Sequence, residues 1–71
     1  PNRIIVNILV NGESLELPNN PNIRDLIEHL GCQNQRIALE VNEAIIPKSA
    51  HEEFLLSDND KIEIIKAVGG G

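Results

Sequence analysis

The residues with the clearest potential for chemistry are three glycines at the end of the sequence, Gly69, Gly70 and Gly71. Glycine carries no side chain, so such a segment is thin enough to enter a closed active site of another protein and flexible enough to bend there. Since Gly71 is the last residue, we expect the segment to present a bare carboxylate to a partner rather than to link two domains. The alternative is a frayed terminus without a role, which is the usual state of a chain end.

Composition and charge narrow the class of protein. Seventy-one residues predict one small domain with little core to spare, and Phe54 is the only aromatic residue. Nucleic-acid binding uses basic side chains and stacking aromatics, whereas this chain has a formal charge of -5 and scattered basic residues. We therefore expect no nucleic-acid partner. An acidic surface suits a carrier that meets basic partners through electrostatic steering.

Cysteine usage and hydropathy indicate the compartment. Cys32 is the only cysteine, which excludes an internal disulfide and favours a reducing compartment, the cytoplasm. No stretch reaches the roughly 20 apolar residues of a membrane span. The first residues do not form a signal peptide, because Asn7 interrupts the apolar run. A chain that starts on Pro1 is explained equally by removal of an initiator Met and by trimming. Since no apolar stretch is long enough to span a membrane, we expect no membrane partner.

Hydrophobic alternation predicts a β-hairpin at the start of the chain. Residues 4–10 are rich in Ile and Val, and residues 14–17 alternate leucine with polar side chains. Between them, Asn11-Gly12 is the strongest short hairpin signal, because both residues accept a positive φ. We therefore interpret Asn11 as a turn former.

A short amphipathic helix is predicted after the hairpin. Asn22 is a suitable N-cap, with Asp25 three residues later near the positive end of the helix dipole, and Gly31 ends the helix. The spacing i, i+3, i+4 and i+7 places four apolar residues on one stripe: Ile23, Leu26, Ile27 and Leu30. A helix this short is unstable alone, so its stripe must pack on an apolar surface.

A second hairpin is predicted in the middle of the chain. Residues 37–41 alternate apolar and other side chains, and Asn42-Glu43 is a suitable tight turn. Residues 44–46 return as a short strand that Pro47 stops. Asn42, like its counterpart in the first hairpin, is interpreted as a turn former.

The last part of the chain leads to the glycines. Residues 48–54 are polar and irregular, with room for one helical turn, and Leu55-Leu56 is expected to fill the core. Residues 58–60 form a turn in which Asn59 tolerates a left-handed conformation. The last strand covers residues 61–66.

The order of elements is strand, strand, helix, strand, short strand, strand. One helix must then cover one face of a single mixed sheet, with the first and last strands parallel at its centre. This predicts an α+β protein with the β-grasp (ubiquitin-like) fold and a sheet of four to five strands. Residues 1–66 form the domain, and residues 67–71 form a flexible tail that reaches at most about 17 Å.

With these elements in place, the chain resembles the ThiS-type sulfur carriers of thiamine biosynthesis. A diglycine end alone is a weak signal, but the order of the matching segments in a chain of this size is a strong one. Two positions depart from the family: His51 stands where an aromatic is common, and Asn59 where Gly is usual. The matching segments are residues 8–12 (ILVNG), 22–30 (NIRDLIEHL), 37–49 (IALEVNEAIIPKS) and 58–71 (DNDKIEIIKAVGGG).

The resemblance implies a chemistry for Gly71. An E1-like adenylating enzyme would use ATP to convert its carboxylate into an acyl-adenylate, and a persulfide sulfur donor would displace AMP. Reductive cleavage would leave a thiocarboxylate, whose sulfur passes to thiazole synthase. Gly70 and Gly69 have no side chains, so they would fit a narrow channel in the partner. Partners would recognise the tail through these two residues. We expect no bound cofactor, since ATP is used by the partner.

Other chemically capable residues have simpler interpretations. We expect Cys32 to be a packed core residue, because a lone cysteine beside an apolar stripe is usually buried. His29 and His51 are expected on the surface, since two histidines without further ligands do not make a metal site. Asp58 and Asp60 read as a turn rather than a calcium loop. No metal site is predicted, and no nucleophile, base and orienting residue group together, so we expect a carrier rather than an enzyme.

Four apolar residues fall on the outward phase of their strands. A sheet face that the helix leaves uncovered is a candidate interface, because exposed apolar patches mark interaction sites. We predict that partners dock on Ile5, Leu9, Ala38 and Ile65.

Three other functions stay open on the sequence. A molybdopterin-synthase-type sulfur carrier shares the fold and the tail chemistry, and the stretch Ile46-Pro47-Lys48 favours the thiamine branch. A ubiquitin-like protein modifier would join the same activated terminus to lysines of target proteins. An interaction domain with an inert tail would lose nothing if the glycines were trimmed.

Overall fold

A computed structural model describes residues 5–67, which form a five-stranded mixed sheet and one α-helix. The spatial order of the strands is β2-β1-β5-β3-β4. The pair β1–β5 is parallel, and the pairs β1–β2, β3–β5 and β3–β4 are antiparallel. The predicted β-grasp architecture is confirmed. In chain order the elements are β1 (Val6–Val10), β2 (Glu13–Leu17), α1 (Ile23–His29), β3 (Ile37–Val41), β4 (Ala44–Ile45), a 3₁₀ turn (Lys48–Ala50) and β5 (Lys61–Lys66).

Both predicted hairpins have two-residue turns with positive φ. Asn11 and Gly12 have φ of 49° and 85°, and Asn42 and Glu43 have φ of 51° and 73°. Such turns match the right-handed twist of the flanking strands. The second hairpin is shorter than predicted: β4 ends one residue before Ile46, although the Ile46 N–H still donates to the Leu39 carbonyl at 2.9 Å.

The core lies between α1 and one face of the sheet. Ile23, Leu26 and Ile27 of the predicted helical stripe are buried. The prediction for Leu30 is wrong: it forms the C-cap and is 39% exposed, because the chain turns away at Gly31, where φ is 73°. The sheet residues that complete the buried cluster with the helix are Val6, Ile8, Leu17, Leu39, Val41 and Ile62.

Cys32, two residues beyond the exposed Leu30, belongs to the core. Its side chain is buried, and its N–H donates to the carbonyl of Ile27 at 3.0 Å. The prediction of a packed, rather than exposed, cysteine is confirmed.

The N-terminus of α1 is closed by a capping box. The Asn22 side chain accepts a hydrogen bond from the Asp25 N–H at 2.7 Å, and the Asp25 carboxylate accepts one from the Asn22 N–H at 2.9 Å. The Asn22 amide also donates to the Glu52 carbonyl at 2.9 Å, which ties the helix to the segment after the 3₁₀ turn.

Replacing the cap should cost measurable stability. We expect Asn22→Ala to lower the free energy of unfolding by about 1–2 kcal/mol, since it removes the cap and a tertiary hydrogen bond together. Asn22→Asp is the matched control, because it keeps the cap acceptor and loses only the donor to Glu52. Urea unfolding measures both variants. Equal losses would show that the cap itself contributes nothing.

The segment between β4 and β5 corrects two predictions. His51 is not a surface residue: it is buried, and its Nε2 lies 3.0 Å from the Ile46 carbonyl oxygen. Because of the 3₁₀ turn, the His51 ring lies on the inner side of this loop, against the Ile46 carbonyl. Of Leu55 and Leu56, only Leu56 fills the core, while Leu55 is 62% exposed. Neighbouring side chains in an extended segment point to opposite sides, so only one of the two can face inward.

Candidate functional site

The last strand runs through the middle of the sheet. β5 lies between β1 and β3, and Ile62 near its start is completely buried. One residue beyond β5, the Ala67 N–H donates to the carbonyl of Arg36 at 2.9 Å, so the backbone is tied to the sheet as far as residue 67. Gly69, Gly70 and Gly71, the residues predicted for tail recognition and sulfur transfer, lie outside the described residues.

The side chain of Asn11 holds β5 at Ile64, three residues before Ala67. Ala67 is the last described residue bonded to the sheet, and the point after it is called the exit of β5. Its Oδ1 accepts a hydrogen bond from the Ile64 N–H at 2.8 Å, and its Nδ2 donates to the Ile64 carbonyl at 3.3 Å. Its own backbone N–H donates to the Ile62 carbonyl at 2.9 Å. The sequence marked Asn11 only as a turn former, because nothing local shows that the turn lies against β5.

The other turn asparagine holds the entrance of the same strand. The Asn42 Oδ1 accepts from the Lys61 N–H at 2.9 Å, and its Nδ2 donates to the Asp60 carboxylate at 3.0 Å. The predicted turn before β5 is present: Asn59 has a φ of 70°, and the second Asp60 oxygen accepts from the Ser57 N–H at 2.8 Å. Asparagine side chains therefore hold β5 at its first residue, Lys61, and at its fourth, Ile64.

The four residues predicted for docking are all exposed, on the side of the sheet that α1 does not cover, which is called the uncovered face. They do not form one patch. Ala38 and Ile65 are direct partners in the β3–β5 register, close to the exit of β5. Leu9 pairs with Lys61, four positions back along β5, and Ile5 precedes β1 at the far end of the face. Only Ala38 and Ile65 thus lie next to the tail exit. Whether partners use this face stays a prediction.

The structure adds one exposed residue that the sequence analysis missed. Ile45 is 72% exposed on β4, and its register partner Glu40 faces outward on β3. Ile45 therefore lies on the uncovered face, directly opposite Glu40 and diagonal to Ala38. The pairing that a two-residue turn imposes, Val41 with Ala44 and Glu40 with Ile45, would have placed it there.

An acidic pair lies next to the apolar pair formed by Ala38 and Ile65. Glu40 and Glu63 are direct register partners on the uncovered face. Like charges in this position repel each other. Neither takes part in a salt bridge among residues 5–67, where the ion pairs join Arg24 to Glu28 at 3.5 Å and to Glu52 at 3.0 Å. The face thus combines apolar surface with two adjacent carboxylates and one lysine, Lys61, two residues before Glu63 on β5. The carboxylate pair complements a partner that carries basic groups.

No other chemistry is assembled in the described part of the chain. Residues 5–67 contain no group of three or more His, Cys, Asp or Glu side chains that could hold a metal ion. A groove of about 690 Å³ runs between α1 and the 3₁₀ turn, and it is lined by residues such as Arg24, Arg36 and Lys48. The histidine in that groove, His51, is already engaged with a backbone carbonyl. Within the same residues, no helix has both the length and the apolar character needed to cross a membrane.

Known proteins match both the sequence and the fold. Sulfur carrier protein ThiS of Bacillus subtilis is 41% identical over 49 residues, which cover 69% of this chain and 74% of that protein. A thiazole synthase of Paramagnetospirillum magneticum is 33% identical over 64 residues, or 90% of this chain, and the chain spans 20% of that protein's length. The crystal structure of thiamine biosynthesis protein ThiS from Geobacter metallireducens has the same fold, with a TM-score of 0.75, 24% identity, and coverage of 93% of this chain and 100% of that one.

The family assignment rests on the longest match. The model of the ThiS family aligns with residues 4–71, a span that contains every described element and the terminal glycines. The resemblance predicted from the sequence is confirmed: the chain belongs to the ThiS family, with the β-grasp fold of a ThiS-type sulfur carrier.

Proposed function

We propose that this chain carries sulfur for the formation of the thiamine thiazole, on the carboxyl group of Gly71. The observation that supports this most directly is the family match, which extends through the terminal glycines. The sheet supports it as well, because the glycine segment follows a central strand that is held on both sides. A carrier that presents an acyl group to other proteins needs a rigid domain followed by residues without side chains, because such residues can enter a closed active site.

The proposed cycle begins with activation by an E1-like adenylating enzyme. One oxygen of the Gly71 carboxylate attacks the α-phosphorus of ATP, pyrophosphate leaves, and an acyl-adenylate forms. The terminal sulfur of a persulfide donor then attacks the acyl carbon and AMP leaves, which gives an acyl disulfide. Two thiol groups of a reductant supply two electrons to cleave the S–S bond and are themselves joined in a disulfide. The chain retains a thiocarboxylate, and the donor is released as a thiol.

The proposed acceptor is a thiazole synthase. The thiazole synthase of Paramagnetospirillum magneticum contains a segment similar to this chain within a longer protein. Segments joined in one polypeptide commonly act in the same process, so this arrangement supports delivery from the carrier to that class of enzyme. In this cycle the chain is a co-substrate and not an enzyme, since all catalytic groups belong to its partners. Cys32 is a buried free thiol, and free thiols are usual in the reducing cytoplasm, where we propose that the chain acts.

A reconstituted sulfur transfer tests the function. The intact chain is incubated with an E1-like activating enzyme, ATP and a persulfide donor, and its mass is measured before and after. Replacement of one oxygen by sulfur on the C-terminal peptide is expected, and the same measurement checks that Gly71 carries a free carboxylate. The charged carrier is then offered to thiazole synthase and to molybdopterin synthase. Turnover by the second alone, or a ladder of protein conjugates in lysate, would replace the proposal with one of its rivals.

We further propose that the activating enzyme docks on the uncovered face near the exit of β5. Ala38, Ile65 and Ile45 provide the apolar contact, and the pair Glu40–Glu63 provides the negative charge. Apolar side chains at the centre of an interface carry most of its binding energy.

A charge placed in this patch should weaken docking. We expect Ile65→Asp to raise the KM for the carrier in the adenylation assay about tenfold or more, because the new carboxylate must be desolvated against the partner. Ile5→Asp is the matched control: both isoleucines are about half exposed (57% and 51%), but Ile5 lies at the far end of the face. Thermal unfolding should shift little for either variant. An equal KM for the two variants would reject the patch.

A further inference from the structure

We propose that Asn11 is a positioning residue, which fixes the point and the direction in which the terminal residues leave the sheet. Its consequence for sulfur loading rests on the proposed function. The positioning itself is a property of the fold and can be measured on the isolated protein.

Asn11 prolongs the parallel β1–β5 ladder beyond the end of β1. The strand ends at Val10, which is the register partner of Ile62. Further along β5, the chain of β1 has already turned away, and the side-chain amide of Asn11 replaces it as the partner of Ile64, accepting at 2.8 Å and donating at 3.3 Å. One side-chain amide thus reproduces the donor and the acceptor of the missing peptide group.

The chemistry of this contact selects asparagine. The residue must occupy the left-handed region, with a φ of 49°, which asparagine tolerates better than most residues. It must also offer an acceptor and a donor on a side chain short enough to reach the neighbouring strand. Aspartate supplies only acceptors when ionised, and serine has a single oxygen.

The contact matters because it lies next to the exit. On the other side of β5, the β3 ladder continues through Ile37 and the Arg36 carbonyl as far as Ala67. The side chain of Asn11 bonds to Ile64, so without it residues 64–67 would be held from the β3 side alone. Lys66 and Ala67 would then sample a wider range of directions. Threading a mobile segment into an active site costs more conformational entropy than threading one that starts from a fixed point.

The chain contains its own matched control. Asn42 has nearly the same backbone conformation, with a φ of 51°, and its side chain bonds to the same strand at the opposite end. Glycine accepts positive φ, so Asn11→Gly and Asn42→Gly each remove the side chain while keeping a turn that can form. The two variants lose comparable contacts, and only the first loses them beside the exit.

Amide exchange and backbone relaxation test the positioning. In Asn11→Gly we expect the Ile64 amide to exchange about tenfold faster and the order parameters of Lys66 and Ala67 to fall below those of the parent chain. Asn42→Gly should instead speed the exchange of Lys61 and leave Lys66 and Ala67 unchanged. Unchanged order parameters in Asn11→Gly, or an equal fall in both variants, would overturn the proposal.

Adenylation kinetics test the consequence, at a temperature where both variants are folded. We expect Asn11→Gly to lower kcat about tenfold with little change in KM, since the docking face is intact while the carboxylate meets ATP in the right geometry less often. Asn42→Gly should stay within about twofold of the parent chain. Equal kcat values for both variants would reject Asn11 as a positioning residue for loading. If the parent chain itself is never adenylated, the proposed function fails, and the relaxation data still decide the positioning.

Discussion

Deletion of Gly71 abolishes sulfur loading while the domain stays folded: this is the largest effect that we expect. The shortened chain ends on Gly70, so its carboxylate falls short of the nucleotide by about 3.5 Å when the body is docked in the same place. Misplacement of reacting groups by about 1 Å can already cost a hundredfold in rate. Mass spectrometry after incubation with the activating enzyme, ATP and a persulfide donor measures the outcome.

A second terminal variant separates reach from clearance. Gly71→Ala keeps the length and the carboxylate but adds a methyl group, so any loss of loading in this variant reports how narrow the partner's channel is. Unchanged thermal unfolding of both variants would show that the terminal residue does not support the fold. Gain of sulfur by the chain that ends on Gly70 would contradict the proposed cycle.

Replacement of Ile62 by Ala is expected to cause the largest loss of stability. Ile62 is completely buried in the central strand, and its register partners Val10 and Val41 lie on both sides. Removing its outer carbons leaves a cavity and costs about 2–5 kcal/mol. A domain of this size has a total stability of about 4–11 kcal/mol, so the variant loses a large share of it.

Ile65→Ala provides the comparison on the same strand. Ile65 is more than half exposed on the uncovered face, so its truncation should change the unfolding free energy by less than about 0.5 kcal/mol. Urea titrations of both variants, analysed with a common m-value, measure the difference. Similar losses at the two positions would mean that the side of the sheet covered by α1 has been assigned wrongly. The pair also separates residues that hold β5 in place from residues that are free to meet a partner.

Much of the fold could be predicted from local pattern. The turns at Asn11-Gly12 and Asn42-Glu43, the cap at Asn22 and the alternation of β3 all depend on residues that lie close together in the chain. Local conformational preference and side-chain periodicity are therefore sufficient to recognise them. The order of these elements, with one helix and a parallel pairing of first and last strands, then left the β-grasp fold as the arrangement that buries the apolar stripe.

The errors occurred where burial depends on the path that the chain takes after an element ends, or on a contact between two segments. His51 is polar and lies in a polar segment, but the 3₁₀ turn brings its ring against the Ile46 carbonyl. Leu30 continues the helical spacing, but the chain turns at Gly31 before its side chain reaches the core, and Cys32 enters instead. Of Leu55 and Leu56, only the pairing of Leu55 with Asn22 decides which one faces inward. Composition and periodicity carry no information on these contacts.

The sequence by itself determined the class of the protein and its family, and it led to the chemistry proposed for its last residue, because these depend on residue types and their order. Only the tertiary structure decided which outward residues are neighbours and what holds the final strand. The register of β5 against β1 and β3 joins Ala38 to Ile65, leaves Ile5 at the far end, and brings Asn11 onto Ile64 across 53 positions of sequence. Strand register is fixed by the packing of the whole sheet on the helix, so no short segment encodes it.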